Sequence, residues 1–291
     1  MNKTILLVSA IILAINFQIN AQNKTEKPLM VKGLKSYVFI PQGKVRVDKK
    51  EVEVNAFFIS KYEVSNLEYR EFLDSLKKNN ETEKLKFAQI DTIQWNKMFN
   101  NKFNEPLVIY YDKHPAYNHY PVVNVSYEGA VLYCRWLTEK YKHINKDKSF
   151  TYEFNLPDKQ QWIRAARGNK NTEYAWDSPR LLGDVYFCNF KNLGAENIHY
   201  NPDTKKYEIK DTFLNPVKSI DITAPVKSYY PNTFELYNIC GNVAEMIGEY
   251  GIAMGGSWND SGYDVRVESE QKYQNANPYV GFRPIMTLIR K

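Results

Sequence analysis

Tyr237-Asn238-Ile239-Cys240-Gly241-Asn242-Val243-Ala244-Glu245, followed by Gly255-Gly256-Ser257-Trp258 and then Gly281-Phe282-Arg283, is the stretch whose reading decides the fold. Gly241-Asn242 is a turn former suited to positive φ, a conformation that aims neighbouring carbonyls at one point. Asn238 and Glu245 flank it with side-chain oxygens. With the Gly241 and Val243 carbonyls they make an all-oxygen set of the kind calcium takes, completed by water. A second reading is open: Asn238 caps a turn and Glu245 pairs with a surface lysine.

The next signature sets two residues without side chains beside a hydroxyl and an indole, so another backbone can approach closely. It either lines a cleft, with Ser257, Trp258, Asp260 and Arg283 as candidates, or permits tight packing. A nucleophilic serine needs a base, and none of the four histidines stands in a motif with Ser257. His114 and His119, five apart in a loop, form a weak metal pair; solvated histidines explain them as well.

Outward from this region, two capping boxes predict helices. Ser65-Asn66-Leu67-Glu68 starts one running to about Leu76, and Asp158-Lys159-Gln160-Gln161 starts another ending near Gly168. Ser126 is the expected N-cap of a third, in which Cys134 shares one face with Ala130, Leu137 and Tyr141. Strands are expected at 37–40, after which Pro41-Gln42-Gly43 turns, and at 52–60, 251–258 and 280–289. Residues 78–120 read as mostly loop with short helices, and 169–236 as turn-rich. This pattern predicts one irregular, loop-rich α+β domain over residues 36–291.

The N-terminus predicts export. Lys3, an apolar run over 5–17 and Ile19-Asn20-Ala21 form a secretory signal at 1–21, and the run is short for a membrane span. The first cysteine is Cys134, so no lipoprotein anchor is expected, and no later segment is apolar enough for a membrane anchor. Residues 22–35 read as a flexible, lysine-rich lead-in. The expected product is periplasmic or secreted.

The net charge of +6 is spread among acids, without the basic cluster of a nucleic-acid surface. Tyrosine is abundant, with 22 copies, which suits either a binding surface or a loop-rich core. Three cysteines leave at least one unpaired; Cys188 and Cys240 could pair.

Taken in order, these signatures resemble the formylglycine-generating enzyme (sulfatase-modifying factor) family. Phe57-Phe58-Ile59-Ser60-Lys61-Tyr62-Glu63-Val64-Ser65-Asn66, Pro121-Val122-Val123-Asn124-Val125-Ser126-Tyr127, Leu156-Pro157 through Trp162, Ala165-Ala166-Arg167-Gly168 and Ala224-Pro225-Val226 extend the likeness along the mature chain. The resemblance implies a fold related to C-type lectins. It also implies a copper oxidase site of two cysteines, since thiolates suit Cu(I). Asp260 and Val265 stand at those positions, and Ala244 replaces the active-site tryptophan, so no copper and no catalytic residue is expected. One structural calcium site is implied at Asn238, Gly241, Val243 and Glu245. A second has Asn189, but Lys218 falls where an acid belongs, with Asp221 as a substitute after a local shift. Cys134 matches a family half-cystine whose partner position holds Pro284, so a free buried thiol is expected.

The expected function is a catalytically silent, calcium-stabilised binding or assembly module with a protein or glycan partner in the cell envelope, residues 259–278 forming its adaptable surface. The competing reading is an enzyme of altered chemistry in the same cleft. Convergence of two among Asp260, Asp264, Glu268 and Glu270 with Ser257 and Arg283 in one pocket would mark it.

Overall fold

Alternating apolar side chains and two capped helices generate most of the architecture. The structure, a computed structural model, describes residues 34–98, 105–144, 149–168, 170–178, 180–181, 186–191, 198–209 and 222–290. The expected signal at 1–21, nearly all of the lead-in, Lys218 and Asp221 lie outside the described residues. Contacts divide the chain into residues 1–35 and 36–291, and the second unit holds all the described strands and helices. No helix among the described residues is long and apolar enough to cross a membrane.

The first sheet has the order β1-β4-β12-β5 and is antiparallel throughout. Its strands are β1 (Tyr37–Ile40), β4 (Phe57–Ser60), β5 (Phe150–Asn155) and β12 (Ile285–Arg290). The expected strand at 52–60 is in fact two. β3 (Lys50–Val54) pairs with β2 (Gly43–Val47) as a hairpin, and β4 joins the sheet. Asp48 and Lys49 both take positive φ at the hairpin tip, the geometry of a two-residue turn that matches strand twist.

The second sheet has the order β10-β9-β8-β11, built from β8 (Ala244–Met246), β9 (Ile252–Met254), β10 (Glu270–Lys272) and β11 (Val280–Phe282). β8 and β11 pair in parallel, the other neighbours antiparallel. β6 (Ile198–Asn201) and β7 (Lys206–Ile209) form a separate hairpin.

Both capping boxes form. Ser65 caps α1 (Asn66–Lys78) with Glu68 reaching back, and Asp158 caps α6 (Lys159–Arg167) with Gln161 reaching back. Gly168 closes α6 at φ +64°. α5 (Tyr127–Ile144) opens with the Gly129 amide donating to Ser126 Oγ at 2.9 Å. Between α1 and α5 the chain is more helical than its sequence suggests, with α2 (Thr82–Ala88), α3 (Gln94–Met98) and α4 (Glu105–Tyr110). Helices this short draw their stability from tertiary burial rather than propensity. Trp95 and Tyr111, each almost fully buried, supply it.

The main core gathers Ile40, Phe57, Ile59, Trp162, Ile239 and Ile285 among others. A second layer is aromatic: Tyr69 and Phe72 of α1 and Tyr133 of α5 meet edge to face or stacked, and Phe282 of β11 closes on Tyr69 and Tyr133. Much of the tyrosine therefore fills interior space, while Tyr230, Tyr250 and Tyr263 stay exposed. Cys134, Cys188 and Cys240 are all free and buried.

Gly255 shows what the glycine signature is for. Its φ is +87°, and a Cβ there would lie 2.7 Å from the Ile239 carbonyl oxygen and 2.9 Å from the Trp162 ring. Gly255→Ala is expected to cost about 2–4 kcal/mol in urea denaturation, from combined backbone strain and overpacking. A cost below about 1 kcal/mol would refute the close-approach account.

Candidate functional site

Glu245, at the centre of β8, is 1% exposed, and its carboxylate faces the fully buried guanidinium of Arg283. Arg283 Nε donates to Oε1 at 2.9 Å and Oε2 at 3.0 Å, and Nη2 donates to Oε1 at 2.6 Å. Trp162 Nε1, from α6, donates to Oε2 at 2.8 Å. These four contacts fill the carboxylate's lone-pair positions. The guanidinium donates further, Nη1 to the Ser60 carbonyl at 3.0 Å and Nη2 to the Tyr237 carbonyl at 2.7 Å. Glu245 thus pairs with neither a surface lysine nor solvent.

Beside this pair lies an acid that nothing in its own stretch of sequence marks out. Glu63, between β4 and α1, is fully buried; Asn242 Nδ2 donates to its Oε1 at 2.7 Å and Asn238 Nδ2 to its Oε2 at 3.3 Å. Burial pushes its carboxyl up to about 8; the Arg283 guanidinium pulls it down, and the Glu245 carboxylate pushes it up. Its run, Lys61-Tyr62-Glu63-Val64, carries no local cue to this role, because both asparagine partners lie more than 170 residues away.

The turn itself is built by backbone contacts. Gly241 sits at φ +76°, where a Cβ would fall 2.3 Å from the Asn189 carbonyl oxygen. Asn238 and Asn242 also take positive φ. Asn242 donates its amide to Asn189 O at 2.8 Å, and its Oδ1 accepts from the Ala224 amide at 2.6 Å. Asn189, the candidate for the second calcium site, is buried and donates to the Ile222 carbonyl at 2.9 Å.

The chemistry of a calcium ion fits this turn in part. Asn238 Oδ1 is buried without a hydrogen-bond partner, and an oxygen in that state is one a cation would satisfy. Glu245, the only formal charge in the expected ligand set, is instead committed to Arg283 and Trp162, and the acid that touches Asn238 is Glu63. Glu245 could coordinate an ion only by yielding one of those bonds.

The cleft candidates do not line an open cleft. Ser257 and Arg283 are fully buried and Trp258 is 4% exposed. Ser257 donates both its amide (2.8 Å) and its hydroxyl (2.6 Å) to Asp260 Oδ2, so Asp260 closes a local turn. Trp258 packs with Trp95, Tyr111, Val123 and Val243 and donates to the Pro278 carbonyl. The four acids disperse. Asp264 accepts from Ser261 Oγ, Glu268 pairs with Arg167 and Glu270 with Lys159. None of them meets Arg283, whose partner is Glu245. His114 Nδ1 accepts the Ala116 amide in a local turn. Among the described residues no three His, Cys, Asp or Glu side chains converge on one point.

The geometry sets up two measurements. Glu245→Leu and Arg283→Met each leave a buried group without its partner and should cost about 3–5 kcal/mol. The pair Glu245→Leu with Arg283→Met should cost less than the sum of the single changes by about 2 kcal/mol or more in a double-mutant cycle. Strict additivity would show that the two residues act independently. Glu63 has a folded pKa above its ordinary 4.5, so stability is greatest below that value. It falls as pH rises through about 8, by at most roughly 1.4 kcal/mol per pH unit. Glu63→Gln should flatten that slope between pH 5 and 8, and a parallel slope would place the titration elsewhere.

The sequence matches the family model described as the sulfatase-modifying factor enzyme 1-like domain over residues 22–288. It is 31% identical over 134 residues to a formylglycine-generating enzyme of Streptomyces coelicolor, covering 46% of this chain and 33% of that protein. It is 24% identical over 220 residues to the Mus musculus enzyme, covering 69% and 51%. The matches thus span about a third to a half of these relatives' length. Among solved structures, PvdO from Pseudomonas aeruginosa superposes with a TM-score of 0.55 at 15% identity, covering 86% of this chain and 93% of that one. CarF does so at 0.52 and 18%, covering 86% and 97%; both likenesses concern the fold. Matched over nearly its whole described length, the chain belongs to the sulfatase-modifying factor family of formylglycine-generating enzymes.

Proposed function

We propose that this chain is an exported binding or assembly module on the family scaffold, without formylglycine-generating oxidase activity. The observation that carries this reading is the fate of the two copper positions. Asp260 is spent on Ser257, and Val265 is a fully buried apolar side chain. The thiol packed beside Val265 is Cys188, and burial raises its pKa well above the ordinary range, opposite to what a thiolate ligand needs. Ala244, at the position of the family tryptophan, is buried in β8. The altered-enzyme reading loses its motive, because the acids of 260–270 are dispersed among other partners.

The proposed partner is a protein or glycan of the cell envelope. The 259–278 segment offers it exposed Tyr263, with the Arg266 guanidinium 3.4 Å from its ring centroid. One structural calcium ion at the 238–245 turn completes the proposal. The unpartnered Asn238 Oδ1 supports it, and the Glu63 carboxyl group lies at the same turn.

The test uses the full chain. Copper(I)-treated protein is offered a cysteine-containing sulfatase peptide, and melting is followed with calcium and then with chelator. No aldehyde is expected. Chelation should lower the melting temperature, with about 2.7 kcal/mol of stabilisation lost from a hundredfold excess over Kd. Aldehyde formation would overturn the silent reading. Identical melting curves would remove the ion and leave the module.

A further inference from the structure

Basic residues that lie far apart in the sequence meet at one cavity. It has a volume of about 660 Å³, in the range of small-ligand sites, and lies between the β2–β3 hairpin and the C-terminal end of α6. Lys44, Arg46, Lys49, Arg164, Arg167 and Lys170 line it, against the single carboxylate of Glu51. Lys44 is paired with Glu51 at 2.8 Å, both well exposed, and Lys170 with Asp177. Arg46 and Lys49 are exposed, and their side chains have no ion-pair or hydrogen-bond partner among the described residues.

The back wall is different, because its charges are built in. Arg164 is 5% and Arg167 8% exposed. Arg164 donates to the Gly168 carbonyl and lies 5.2 Å from the Phe234 ring centroid. Arg167 donates to the Arg46 and Thr172 carbonyls and pairs with Glu268 at 2.8 Å. The Gly168 carbonyl and the Phe234 ring face hold the Arg164 guanidinium without adding negative charge, while Arg167 is held by two carbonyls and the Glu268 carboxylate. Fixed guanidiniums present the planar donors that oxyanions accept, in a way mobile lysines do not.

We propose that this cavity binds a small ligand carrying phosphate or sulfate ester groups, with Arg164 and Arg167 as the preset wall and Arg46 and Lys49 as the free cations that close on the anion. The site is separate from the 238–245 turn, so it stands or falls independently of the calcium and oxidase questions.

The experiment titrates the full chain with pyrophosphate, inorganic phosphate and inorganic sulfate at constant ionic strength, with sodium chloride as the reference. Calorimetry and melting are the two readouts. Pyrophosphate is expected to bind saturably and raise the melting temperature above the chloride reference. The Arg46→Gln/Lys49→Gln variant, altered only at exposed positions, should keep the native fold by circular dichroism and bind pyrophosphate at least tenfold more weakly. Lys84→Gln/Lys86→Gln, on α2, should bind like the native protein. Phosphate binding more tightly than sulfate assigns the phosphate ester, and the reverse order the sulfate ester. No saturable binding beyond chloride, or affinity unchanged in Arg46→Gln/Lys49→Gln, overturns the proposal.

Discussion

The buried pair of Glu245 and Arg283 is the interaction on which the rest depends. Taking a guanidinium and a carboxylate out of water costs several kcal/mol for each ion, recovered only when geometry and extra hydrogen bonds are nearly complete. Here they are. The pair joins β8 to the segment between β11 and β12, reaches α6 through Trp162, and holds the Ser60 and Tyr237 carbonyls. Both sheets and the helix α6 therefore meet at one charged contact. A displacement of any of these elements would strand a charge, so the pair restricts which packings of the same apolar residues are tolerable.

The closing Gly281-Phe282-Arg283 motif does two jobs at once. Successive side chains of an extended strand project to opposite faces. Phe282 accordingly enters the aromatic layer of Tyr69 and Tyr133, while Arg283 enters the polar centre. The first contact fixes α1 and α5 onto the second sheet; the second fixes that sheet to the first. Glu63 lies close enough to both charges to be affected by each, so the centre holds two acids and one base. Burial does most to keep its carboxyl from ionising, and the Glu245 carboxylate adds to that against the pull of Arg283.

What was legible in the sequence was local. Ser65 with Glu68 and Asp158 with Gln161 announce helix starts three residues ahead, and both boxes form. Gly241 announces positive φ, and Gly255 announces a close approach by another backbone, because neither carries a side chain. What was not legible is pairing across distance. Trp162 and Glu245 are 83 residues apart, Glu63 and Asn242 179, and nothing local to either member names its partner. Short helices were expected over 78–120, but the positions of α2 to α4 were not legible for a related reason, since Trp95 and Tyr111 find their burial against Trp258 and Val243 from the far end of the chain. Ser257 and Asp260, which read as cleft residues, form a closed turn instead. The basic residues around 44–49 and 164–170 read as scattered because only the fold brings the hairpin onto α6.

The sheet order β1-β4-β12-β5 has a further consequence for how the chain reaches this state. β12 follows every other described strand in sequence, yet it occupies an interior place, bonded to β4 on one side and along its whole length to β5 on the other. Until it arrives, β4 and β5 have no common neighbour and both expose unpaired edges. The sheet cannot grow outward in the order of synthesis; its middle is inserted last. Such non-local closure is slow and leaves sticky edges exposed in the interim. Until the final strand slots in, the β4 and β5 edges it will cover stay open.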